Sequence, residues 1–218
     1  ADGTGGSDAA GPTVVSGTAE RCDGSLTTPY ARREALCFHA VVARENGVGW
    51  ALLDRDTEQT RFVIADRWGD HVVDPTGCRL FLDQGRTVGT PLGTAADEPD
   101  AELTFPSGDR PPDPVAEALS ERTDLDDDAL LDTDLRIREY TLEPEDESLA
   151  VGEATEAPES EGRPATIVRS GDGRRSAVAT GSLDTVAGRF ERTVGRYLRR
   201  GAALVVVGLG GALLLGAI

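Results

Sequence analysis

The last eighteen residues, Gly201–Ile218, contain no charged or polar side chain, and no other feature limits the chain's possible folds so strongly. At 1.5 Å per residue a helix of that length spans about 27 Å, close to the roughly 30 Å of hydrocarbon in a bilayer. A buried core helix this long would normally carry a polar face. The stretch has none, so it reads as a transmembrane helix. Tyr197 and Leu198 can extend it, and Tyr197 suits the headgroup boundary. Just before it, Leu183, Val186, Ala187, Phe190, Val194 and Tyr197 fall at helical spacing, predicting an amphipathic helix over 183–200. Arg189, Arg192, Arg196, Arg199 and Arg200 occupy much of its remainder, and no arginine follows the span. The positive-inside rule then puts the rest of the chain on the cytoplasmic side, with Ile218 at the far face. Gly208, Ala212 and Gly216 repeat every four residues, a smooth face suited to helix–helix contact.

The 218 residues carry 22 Lys+Arg against 39 Asp+Glu, a net charge of −17, and every cation is arginine. Such acidity argues against nucleic-acid binding, which needs clustered cations to neutralise phosphates. It fits a protein of a high-salt cell interior, where a Debye length of roughly 3 Å screens carboxylates from one another. The alternative for an acidic chain is disorder, and the regular apolar alternation of the middle segments argues against that. The chain does not begin with Met, so an upstream membrane segment is compatible with it.

Residues 1–12 read as a flexible leader. Short β-rich stretches follow at 13–19, 36–44, 49–53, 61–66, 71–74 and 79–82, separated by turn clusters such as Asn46-Gly47. An acidic insertion over 106–134 holds one short helix, Val115–Arg122, with Asp113 as its expected cap and Pro114 as its first residue. Strand texture returns at 135–142 and 149–154. A linker over 156–182 follows, with one short strand at 166–169. The expectation is a mainly β domain over 13–155, a compact small barrel or sandwich, followed by the long helix that becomes the span.

Chemistry is harder to find. His39 and His71 with Cys37 and Cys78 are the one conceivable zinc shell, but their spacing fits no closed finger; buried thiols and a surface imidazole read better. Neither thiol is marked as a nucleophile. Asp124, Asp126 and Asp128 resemble a calcium loop, yet Ala129 stands where the turn needs glycine and Leu135 where a bidentate glutamate belongs. A solvated acidic loop is expected there. Gly-rich phosphate cradles are absent, and Trp50, Trp68, Phe62 and Phe81 are assigned to core and turn packing. No catalytic, cofactor or metal residue is assigned.

The order of several short motifs carries a resemblance: Ser16-Gly17-Thr18-Ala19, Leu26-Thr27-Thr28-Pro29, Cys37-Phe38-His39-Ala40-Val41-Val42, then Trp50 leading into Arg61-Phe62-Val63-Ile64-Ala65-Asp66. Gly69 and Val72-Val73-Asp74-Pro75 follow; later come Arg138-Glu139-Tyr140, Leu142, Glu145-Asp146 and Leu149-Ala150-Val151-Gly152-Glu153-Ala154. Over about Thr13 to Thr155 the chain resembles the GIDE, or beside-a-membrane (BAM), domain of membrane-anchored RING-type E3 ubiquitin ligases and archaeal membrane proteins. The resemblance implies a compact β domain close to a bilayer, usually between two transmembrane helices, that engages partner or substrate proteins. A RING needs eight Cys/His zinc ligands, whereas this chain has three Cys and two His, none of them beyond Cys78. The expected function is therefore a membrane-anchored, non-catalytic adaptor with a protein partner. The alternatives are a component of an E3-type system whose catalytic module lies elsewhere, or a ligand-gated or transport-associated accessory subunit, suggested by the small-residue face of the span. Glu143–Glu147 and the aspartate loop are the candidate contact surfaces.

Overall fold

A computed structural model describes residues 12–82, 99–156, 166–169 and 176–188. The chain is mainly β, as the alternating stretches predict. Its larger sheet is built from β1 (Pro12–Arg21), β6 (Phe62–Asp66), β7 (Gly69–Asp74), β8 (Arg79–Phe81), β11 (Glu147–Glu156), β12 (Thr166–Arg169) and β13 (Ala177–Thr180). The first half of β1 pairs with β11 and the second half with β6. Strand β6 then pairs with β7, β7 with β12, and β12 back onto β11, so five strands form a closed ring. Closure leaves few unpaired edges and makes an inside. Val15, Ala19, Phe62, Ile64, Val73, Ala150 and Val168 fill that inside, their alternation along each strand matching the period of two. Strand β13 lies on the other flank of β11 and carries β8 beside it in parallel.

A second, antiparallel sheet runs in the order β5 (Trp50–Gln59), β4 (Cys37–Glu45), β10 (Leu135–Leu142), β9 (Ala101–Phe105). Two helices, α1 (Asp113–Arg122) and α2 (Asp127–Asp132), cover one face of it. Their Val115, Ala116, Leu119 and Leu130 meet Phe38, Ala40, Val42, Leu135 and Ile137 in a second core. Beside these lies a small two-stranded ribbon of β2 (Leu26–Thr27) and β3 (Glu34–Ala35). Leu36 N–H donates to the Leu142 carbonyl where the two sheets join.

Four expectations need correction. The cap of α1 is Pro112, with no side-chain hydrogen bond, so Asp113 already lies inside the first turn beside Pro114. The aspartate stretch is not a solvated loop throughout: Asp126 accepts from Ala129 N–H at 2.8 Å and caps α2, because an Asx oxygen satisfies a first-turn donor. The stretch 156–182 is more than a linker, since 166–169 closes the barrel and 177–180 extends its sheet. Trp68 is not packed: it is 79% exposed at the tip between β6 and β7. The helix over 183–200 is described only as 183–188, and the apolar run 201–218 and the leader 1–11 lie outside the described residues. Among the described residues no helix is long and apolar enough to cross a membrane.

Candidate functional site

The junction between barrel and second sheet carries two surface ion pairs, Arg21–Glu34 and Arg33–Glu143. Residues 143–146 turn there between β10 and β11, held to β1 by two backbone bonds: Ala19 N–H to the Asp146 carbonyl at 2.8 Å, and Glu145 N–H to the Ala19 carbonyl at 2.7 Å. Glu145 sits at φ +77°, a left-handed conformation that costs a non-glycine residue of order 1 kcal/mol or more. Around this turn lies a cleft of about 340 Å³ lined by Arg21, Arg33, Glu34, Glu143, Pro144 and Glu145. Arg21 grips Glu34 with both prongs, Nε to Oε1 at 2.5 Å and Nη2 to Oε2 at 2.6 Å. That pairing holds the Glu34 carboxyl down at about 2. Arg33 reaches Glu143 at 2.6 Å through Nη2 and donates to the Asp100 carbonyl at 2.5 Å through Nη1.

Each cleft guanidinium already meets a carboxylate, and the cleft holds no thiol, hydroxyl nucleophile or imidazole. Its lining is a set of forked donors and carboxylate acceptors held at fixed positions by these pairings. Of the two acidic stretches singled out from sequence, Glu143 and Glu145 line this cleft, while Asp127 of the other pairs with Arg110 at 3.2 Å.

Of the residues considered for zinc or nucleophilic chemistry, Cys37 and Cys78 share one cluster, while His39 and His71 make separate contacts. Cys37 is buried in the barrel core with Cys78 packed against the same cluster, and burial pushes the Cys37 thiol up to about 12 and raises Cys78. His39, on β4, places Nδ1 2.9 Å from the Thr57 hydroxyl and stacks on Tyr140 at 6.2 Å. Burial, with Arg55 nearby, lowers its pKa to about 4, so the imidazole is neutral. His71 lies 3.5 Å from Asp66. Among the described residues no three such side chains gather to hold a metal ion.

Two polar elements escaped the sequence. Glu139 is 1% exposed and accepts from Tyr30 N–H at 2.8 Å and Ala31 N–H at 3.1 Å, tying the loop after β2 to β10. Nothing in the pattern Arg138-Glu139-Tyr140 marks a glutamate as internal. Trp68 is the second. Asp66 Oδ1 accepts from Trp68 N–H at 2.6 Å and Gly69 N–H at 2.9 Å, Gly69 supplies a φ of +147° that favours glycine, and the Arg67 guanidinium lies 4.7 Å from the indole centroid. A turn between the stretches 61–66 and 71–74 was legible; the outward indole was not.

No protein family, no characterised protein and no solved structure matches the chain. Function therefore rests on the residues themselves.

Proposed function

We propose that this protein is a membrane-tethered, non-catalytic binding module: a β domain held on the cytoplasmic side of a bilayer by residues 201–218, offering its surface to a protein partner. One observation carries the reading. Eighteen consecutive apolar residues follow five arginines within twelve positions, an order that suits a bilayer core behind a cationic headgroup layer. The fold is compatible with it. Val186, on the helical segment that precedes that run in the chain, is buried against Phe81, Leu149 and Ala179 on the outer wall of the barrel. The likeness to GIDE-type domains belongs to the same proposal, and the cleft around Arg21, Arg33 and Glu143 is its partner-facing candidate. The face of Gly208, Ala212 and Gly216 offers a place for a second helix in the membrane.

Alkaline carbonate extraction of membranes from cells expressing the full chain tests the tether. The chain stays in the membrane pellet, and protease added from the cytoplasmic side digests the domain. Release into the supernatant, or protection of the domain in sealed cytoplasm-outward vesicles, counts against the proposal.

A further inference from the structure

The register of the larger sheet shows where the helical segment 183–188 leaves the barrel. Thr180 stands opposite Ser148, and Ser148 opposite Gly17. Thr18 in turn stands opposite Ala65, which sets Asp66 beside Gly17. Thr180, Ser148, Gly17 and Asp66 thus form one row across four neighbouring strands, about 15 Å long at strand spacing. At one end of the row Gly181 turns the chain into the helical segment 183–188. At the other end β6 stops and the Arg67–Trp68 tip begins.

Both features point the same way. Val186 lies six residues past Thr180 yet packs against Ala179, so the helical segment doubles back over β13. That direction runs from the Thr180–Ser148 row toward Ala177, Val151 and Val14, which are paired in line, and on toward the Pro12 end of β1. Strand β6 runs from Phe62, opposite Arg21, to Asp66, beside Gly17, so its tip also projects toward the Pro12 end.

We propose that the Arg67–Trp68 tip is a lipid contact, the point at which the tethered domain rests on the headgroup layer of its own bilayer. This rests on the tethered reading above. An indole 79% exposed on a pinned turn with a guanidinium over its face is interfacial chemistry: an apolar ring with one N–H donor, and a cation for lipid phosphates. A bilayer fits it better than a protein partner because the tip is an exposed two-residue turn that projects toward the same end as the helical segment 183–188 runs. A tip this small does not bind membranes unaided. Behind a tether the contact is intramolecular, and a weak one suffices.

The full chain, reconstituted in phosphatidylcholine–phosphatidylglycerol vesicles, tests this, with Trp68→Phe as the comparison; the chain has two tryptophans, so the difference between the two proteins reports Trp68. In the wild type the Trp68 emission shifts to shorter wavelength and is quenched by lipids brominated just below the headgroup. In the variant that quenching is lost, while both proteins float with the vesicles. Flotation with no brominated-lipid quenching, and full quenching by aqueous iodide, would leave the tether intact and overturn the lipid contact; a tip held by a protein partner would give this result in pure vesicles. Failure of both proteins to float removes the tethered reading and this proposal together.

Discussion

Gly17 is where β1 passes between β11 and β6, and a side chain there has no room: a Cβ would lie 2.2 Å from the Ala65 carbonyl oxygen. Since that atom belongs to the paired backbone of the next strand, relief requires the strands to separate. Gly17→Ala is expected to cost about 3 kcal/mol of stability, read as a lowered thermal midpoint; an unchanged midpoint would show that β1 and β6 are not in this register. His39 makes a pH prediction. Its folded pKa, about 4, lies below the ordinary value of 6.5, so the unfolded chain takes up the proton first as pH falls. Its contribution is present above pH 6.5 and is lost progressively down to about pH 4, roughly 3 kcal/mol in all for a shift of this size. His39→Gln should flatten the urea midpoint across that window on the chain ending at Arg200, and an unchanged slope would contradict the neutral buried imidazole. At this scale the sequence was least legible. The buried state of Glu139 and the exposed state of Trp68 depend on which face of a hairpin meets another layer, which no local pattern encodes.

Helix α1 shows what was readable among the elements. Val115, Ala116 and Leu119 are its buried residues, Pro114 fits the first turn, and the helix forms where the Asp113-Pro114 start signal predicts. Leu119 is fully buried between α1 and the second sheet. Leu119→Ala should destabilise by about 3 kcal/mol through lost contact and the cavity left behind, measured by chemical unfolding. A loss under 1 kcal/mol would mean that the helices do not cover that sheet. Strands β4 and β10 were legible for the same reason, each a long run of core residues with β-branched and aromatic members. Strands β9 and β13 were not. Ala177–Thr180 is four small or short residues with no alternation of its own, and pairing with Ser148–Val151 makes it a strand. Asp124–Asp128 read as a loop because aspartate disfavours helix interiors, while at a cap the same side chain starts one.

At the scale of the whole molecule, the barrel is a ring closed late. Strand β12 fills the gap between β7 and β11 nearly a hundred residues after β7, and β13 then brings the chain to the wall from which the helical segment departs. A stretch of Glu, Pro, Ser and Gly on either side of β12 gives no sign of that closure, which explains why a linker was the natural reading of 156–182. The charge balance and the apolar terminus were legible because they are properties of composition and need no tertiary partner. Attachment to a membrane depends on the second of these. Flotation in a density gradient with phospholipid vesicles, comparing the full chain with one ending at Arg200, tests it most directly. The full chain is predicted to rise with the lipid and the shortened chain to stay in the dense fractions. A full chain that stays dense and soluble without detergent, or a shortened chain that rises equally well, would contradict it.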